Sequence, residues 1–250
     1  MPALIDRTGE VNYNKFGTKM TIIEYLGDSR VTVQFDDDHK FLKTIRYDCF
    51  KMGAVKNPYD KTIYGIGYFG PGMSLSSINK IITPEYNCWR HMFYRCYDYT
   101  FHKKYPSYIG CSVHHEWHNF QNFAEWYNDN FYELYLEKVD LDKDILVKGN
   151  KVYGPKTCCF VPSRINKLTE NCKSLRGKYP VGVRISKNGE KFEATLQRKH
   201  IGSFDSVEKA FCAYKECKER SIKKVADEYE HIIPLKVYKA LLNYKVEISD

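Results

Sequence analysis

The sequence predicts an α+β fold assembled from several small modules. Three observations lead there. Short runs of alternating apolar and polar residues recur near both ends of the chain, the mark of half-buried strands. Apolar stripes at helical spacing occupy the middle and follow the last set of runs. Stretches rich in Gly, Pro and polar residues separate these blocks. At 250 residues the chain has room for one large domain or two to three small ones.

Residues 1–60 read as a small all-β module. Met20–Tyr25 is strand-like, Gly27-Asp28-Ser29 is a turn, and Val31–Phe35 alternates cleanly until Asp36-Asp37-Asp38 breaks it. Phe41–Tyr47 is a third run. Short strands with turn signals between them suggest a small barrel. The acidic turn reads as a solvated hairpin tip, because a metal site there would need further ligands nearby.

Residues 61–84 read as a linker, because Tyr64–Gly72 carries four glycines and a proline. It lacks the full glycine fingerprint, the following helix and the lysine of a phosphate-binding loop.

The central module spans 85–170. Trp89, Met92, Phe93 and Cys96 fall on one helical stripe, and Trp117, Phe120, Phe123 and Trp126 on a second. Between them, Asp98–Pro106 reads as a polar, aromatic loop. A hairpin is expected from Leu141–Leu146, a Gly149-Asn150 turn and Val152-Tyr153. Thr157–Leu168 reads as a short closing helix, and Lys167–Lys178 as a basic linker.

The module at 178–229 is the most legible. Val181, Val183 and Ile185 share one face of a run, and Arg184 and Ser186 share the other. Phe192, Ala194 and Leu196 alternate with Lys191, Glu193, Thr195 and Gln197. Asn188-Gly189 between the runs is a strong hairpin signal. His200–Phe204 adds a third strand. Asp205-x-x-Glu208 resembles a capping box, and Val207, Ala210, Phe211, Tyr214 and Cys217 form a helical stripe to cover the apolar face. A terminal helix is expected within 230–250, with Pro234 in its first turn.

Charge is concentrated in this last module. Lys173–Lys224 holds 14 Lys+Arg and 6 Asp+Glu, a surplus equal to the +8 of the whole chain. A polar, basic sheet face left open by its helix suits a DNA groove. No apolar run approaches the ~20 residues needed to span a bilayer, and Asp6 and Arg7 interrupt the start before any secretory leader forms. Nine cysteines without repeated spacing fit reduced thiols in a cytoplasm.

Several segments carry a resemblance. Gly-Val-Arg at 182–184, Lys-Phe-x-Ala at 191–194, Ile-Gly-Ser-Phe at 201–204 and Glu-x-Ala-x-x-Ala-Tyr at 208–214 are similar to the APETALA2-type DNA-binding domain, which reads DNA with a three-stranded sheet. That likeness implies that Arg184, Lys191 and Gln197 face the duplex, with Thr195, Arg198 and Lys199 beside them. The first 60 residues resemble the Src-homology-3-like barrels at the front of many phage-encoded proteins. The centre runs Trp-x-x-Met-x-x-Arg-Cys, Glu-Trp-x-x-Phe, Asp-x-Asp, Tyr-Gly-Pro-x-x-Cys, then Asn. This order resembles phage proteins related to HNH (His-Me finger) homing endonucleases.

The HNH resemblance implies a base at the end of a hairpin strand, a divalent Mg²⁺ or Mn²⁺, and a residue on the following helix. Asp142 stands where that family places its histidine. Asn166 matches the helix residue, and Asp142 and Asp144 are the candidate metal ligands. No histidine lies between His118 and His200, so His114 and His118 are the candidate bases. They are also candidates to share one ion, being four residues apart. Two functions follow from different classes. One is a double-stranded-DNA-binding protein that nicks with Mg²⁺ in the host bacterial cytoplasm. The other is a non-enzymatic factor that binds or inhibits a host protein or nucleoprotein complex, through the aromatic stretch 97–109.

Overall fold

The computed structural model describes residues 6–27, 29–170 and 178–249. It is a mixed α+β chain, and it divides into two compact units. One takes the residues up to Phe93 together with His115–Trp126; the other takes Tyr94–His114 and the chain from Tyr127 onward.

The first unit opens with a four-stranded antiparallel sheet in sequence order. Its strands are β1 (Val11–Tyr13), β2 (Lys19–Gly27), β3 (Arg30–Phe35) and β4 (Leu42–Arg46). Met20 and Ile22 on β2, and Val31, Val33 and Phe35 on β3, turn to one side and are buried with Phe50 of α1 (Tyr47–Lys51) and Val55. The alternation of the sequence is therefore the alternation of burial. Asp36 of the acidic turn meets Lys40 and Lys19. The turn expected at Gly27-Asp28-Ser29 falls partly outside the described residues.

Segment 61–84 departs from the expected linker. Ile63 bridges Gly67, and β5 (Ser77–Ile78) pairs antiparallel with β6 (Ile81–Ile82). Three of its four glycines, Gly67, Gly70 and Gly72, mark close packing. A Cβ on Gly67 would press on Phe93 and Trp89, and one on Gly70 would collide with Asn119. The helices α2 (Pro84–Tyr97) and α4 (Phe120–Asn130) follow the two predicted stripes, although Trp117 lies in a 3₁₀ turn ahead of α4. Within the first unit Trp89, Phe93, Trp117, Phe120 and Phe123 are buried. The Trp89 indole donates to the Trp117 carbonyl at 2.7 Å, so its one polar atom is satisfied.

In the second unit, α3 (Tyr99–Lys104) replaces the expected loop after Asp98. The Asp98 carboxylate accepts from the Phe101 N–H at 2.9 Å and caps it. The expected hairpin is also corrected. The strands are β7 (Ser112–Val113), β8 (Val139–Asp142), β9 (Val152–Tyr153) and β10 (Cys159–Pro162). β8 pairs antiparallel with β10, whereas β9 pairs in parallel with β7. The helix expected from Thr157 begins only at Ser163, as α5 (Ser163–Thr169). The result is a strand–strand–helix unit whose two strands are joined by a long excursion.

The C-terminal sheet follows the sequence closely. β11 (Val183–Ile185), β12 (Phe192–Leu196) and β13 (Lys199–Phe204) pair antiparallel in order. The helix α6 (Val207–Glu228) lies on their apolar face, where Val183, Ala194, Ala210, Phe211 and Tyr214 share one core. Full burial of a large apolar side chain contributes about 1.5–3 kcal/mol, so this helix is what holds so small a sheet. Its N-cap is Ser206, whose hydroxyl accepts from the Lys209 N–H, one residue later than the expected Asp205. The terminal helix α7 (Leu235–Leu242) buries Val237 and Leu241, and Pro234 stands just ahead of its first turn rather than within it. The linker expected at Lys167–Lys178 lies largely outside the described residues.

Candidate functional site

Strand β8 places Asp140 and Asp142 on one face, two residues apart, with Leu141 buried on the other. Cys159 and Val161 of β10 lie opposite them. Asp140 was not singled out from the sequence; reading Val139-Asp140-Leu141-Asp142 as a strand would have found it. Its carboxylate accepts from the Ser163 hydroxyl at 2.5 Å and pairs with Lys138 at 2.9 Å. Burial opposes its ionisation, but Ser163, Lys138 and the nearby Asn166 amide outweigh burial and hold the carboxyl below the usual range. Asn166 thus belongs to Asp140.

Asp142 is in the opposite condition. Burial, with the charge of Asp144 beside it, pushes its carboxyl up to about 7. One oxygen accepts the N–H groups of Asp144 and Ile145 at 2.8 and 2.7 Å, closing a local turn. Asp144 is held by the Lys143 ammonium at 3.1 Å, on a side chain only 11% exposed. Burial disfavours that ammonium, yet Asp144 keeps its pKa above the usual lysine value.

These donors do not fit a divalent ion. Burial disfavours the charged form of Asp142, and one of its oxygens is engaged by its own turn. Asp144 already faces a fixed positive charge. Two unit charges 4 Å apart interact by ~4 kcal/mol at an effective dielectric of 20, and a divalent ion doubles the repulsion from Lys143. A Mg²⁺ or Mn²⁺ held by Asp142 and Asp144 has this cation to displace.

The candidate bases fall in different units, His114 in the second and His118 in the first. The His114 N–H donates to the Tyr153 carbonyl at 2.7 Å, and its side chain lies against Gly154. His118 ends the 3₁₀ turn, and its carbonyl accepts from the Tyr68 N–H. The consecutive residues His114, His115 and Glu116 bring their ligand atoms within 4.8 Å of one another. Two of the three are exposed, and neighbours in sequence meet in this way without an ion.

The buried thiols read as inert. Cys96, Cys111, Cys158 and Cys159 are buried, and burial pushes the Cys96 and Cys158 thiols up to about 12.

On the C-terminal sheet, Arg184, Glu193 and Ser203 stand in register on the face that α6 leaves uncovered, and Thr195 stands opposite His200 beyond a bulge. Arg184 is 68% exposed, but its Nε donates to Glu193 at 2.8 Å. Lys191, Arg198, Lys199 and Lys187 are exposed and make no ion pair among the described residues. Gln197 and Arg198 are not strand residues. Both have positive φ, 48° and 67°, and form the two-residue tip between β12 and β13. Lys199 lies opposite Leu196, at the end of the row that faces the helix. The sequence reading missed His200, which the bulge brings to the open face. Thr195 and Gln197 also line a cavity of ≈ 340 Å³ together with Tyr179, Gly182, Tyr214 and Lys218.

Compared with known protein families, curated proteins and solved structures, the chain matches none.

Proposed function

We propose that this chain is a duplex-DNA-binding protein of the HNH lineage it resembles, and that its central module holds DNA without cutting it. In this reading the front sheet is the barrel-like module, the strand–strand–helix unit the HNH-like module, and the last sheet the APETALA2-like reader. One observation carries the DNA reading. The basic surplus sits around a small sheet whose second face is open, with Lys187, Lys191, Arg198 and Lys199 exposed and unpaired among the described residues. The Arg184–Glu193 pair is exposed, so exchanging Glu193 for a phosphate costs at most about 1 kcal/mol. The absence of cleavage rests on the donors at Asp142 and Asp144, which are engaged by a turn and a lysine.

Two assays test this. Anisotropy of a labelled duplex titrated at increasing salt is expected to show affinity falling steeply. Supercoiled plasmid incubated with Mg²⁺ or Mn²⁺ is expected to stay intact, with Asp142→Ala indistinguishable from the parent. Nicking that Asp142→Ala abolishes would restore the nuclease reading. Affinity indifferent to salt would favour the second reading, a protein partner. That reading is supported by the exposed Tyr99 and Ile109 in the aromatic stretch 97–109.

A further inference from the structure

The ribbon β5–β6 presents a cluster of exposed apolar side chains in the first unit. Ile78 is 58% exposed, Ile81 74% and Ile82 47%, and Leu75 and Met73 beside them are also exposed. Clustered exposed apolar residues of this kind mark an interaction surface. The ribbon is also built to keep its shape. Its tip is a tight two-residue turn, with Asn79 and Lys80 both at positive φ. At its base the Thr83 hydroxyl donates to the Leu75 carbonyl at 2.8 Å, and the Thr83 N–H to Ser76 at 3.2 Å. The Gln121 amide grips Ser74 through both its N–H and its carbonyl, at 2.9 and 3.1 Å. Pro84 then starts α2 at once.

We infer that the ribbon Ser77–Ile82 is a DNA wedge, which enters the minor groove and lays Ile78 and Ile81 against a base step so that the duplex bends. This inference rests on the DNA-binding reading. Three things point to DNA as the occupant. First, residues 61–84 contain Lys61 and Lys80 and no Asp or Glu at all, so nothing on the segment repels phosphates. Second, from the Ser76–Thr83 rung to the tip the ribbon reaches about 10 Å, more than the minor groove's depth of about 7.5 Å; two paired strands are wider than its mouth of about 6 Å, so entry requires the groove to open as the duplex bends. Third, isoleucines behind an Asn-Lys tip combine the two chemistries the minor groove accepts: polar groups for its floor and backbone, and apolar side chains that unstack a step.

The test uses the full chain and a short A+T-rich duplex carrying donor and acceptor dyes at its ends. Energy transfer is expected to rise on binding. The double variant Ile78→Ser/Ile81→Ser should lose most of that rise while its affinity falls by less than about tenfold. Both side chains are exposed, so its circular dichroism should match the parent's. A variant that bends the duplex as the parent does, or a parent that binds without bending, overturns the wedge and leaves the DNA reading standing. A parent that binds no duplex ends both, and does so at the binding step. Self-association in sedimentation that the variant abolishes, with bending unchanged, would assign the ribbon to a second copy and overturn the wedge.

Discussion

The central strand pair and the last sheet handle charge in opposite ways. Around β8 each acidic side chain is engaged. Asp140 is held by Ser163 and Lys138, Asp142 by two backbone N–H groups, and Asp144 by a nearly buried lysine. Around β12 the basic side chains stand in water, and among the described residues only Arg184 has an acidic partner. Charges that a fold has already engaged, whether they stabilise it as at Asp140 or burden it as at Asp142, have little left for a ligand. Charges left exposed attract a polyanion, because binding phosphates releases counterions. The difference separates a region that supports the fold from a region fit to bind.

The largest test of this contrast is Asp142→Asn. The folded chain holds the Asp142 proton up to about 7, whereas the unfolded chain releases it near pH 4. Between those values the folded form binds the extra proton, so stability falls as pH rises and stays lowered above pH 7. Asparagine keeps the acceptor for the two N–H groups and removes the charge. The variant should therefore be more stable than the parent at pH 8, by on the order of 3 kcal/mol, with the gain vanishing near pH 4. Urea titrations at the two pH values read it. An equal effect at both would mean that Asp142 is an ordinary surface acid, and the contrast would break.

Next in size is the triple variant Lys191→Gln/Arg198→Gln/Lys199→Gln. It should weaken duplex binding at least tenfold near physiological salt and flatten the log–log salt slope by about 0.9 for each phosphate no longer neutralised. Melting temperature should barely move, since none of the three is buried. Unchanged affinity would shift the search to another face.

The smallest effect sharpens the picture. Glu193→Gln frees Arg184 and removes a negative charge from the open face. Affinity should rise a fewfold, with stability changed by less than about 1 kcal/mol. A loss of affinity would show that Glu193 itself contacts the nucleic acid.

Much of the fold was legible where its causes are local. Val183 and Ala194 turn inward as their alternation requires, and Gly189 supplies the positive φ of the Asn188-Gly189 hairpin. The stripe of α6 is buried at Ala210, Phe211 and Tyr214. The failures have long-range causes. Val152-Tyr153 was the nearest partner for β8 in sequence, but Tyr153 is drawn into a parallel pair with Val113, forty residues upstream. Glycines at 67 and 70 read as chain-breakers, yet they are small because aromatic rings and Asn119 sit against them; composition alone does not separate those causes. The tip at Gln197-Arg198 left no signature, since neither residue is one that positive φ favours. In the candidate site Asp142 and Asn166 were found by likeness. The lysine that closes on Asp144 was not, because its role depends on burial.

The excursion between β8 and β10 has a bearing on how this chain tolerates being cut. Its crest, Val147-Lys148-Gly149, is exposed, while the two limbs are fastened separately. One is secured by the turn at Asp142, the other by the pairing of Val152-Tyr153 with Ser112-Val113 and by the Asn150 amide on the Lys143 and Val152 carbonyls. A protease that severs the crest should leave two fragments that remain clasped and co-elute. That makes the crest a natural joint for splitting the polypeptide into complementary halves or for grafting in a reporter.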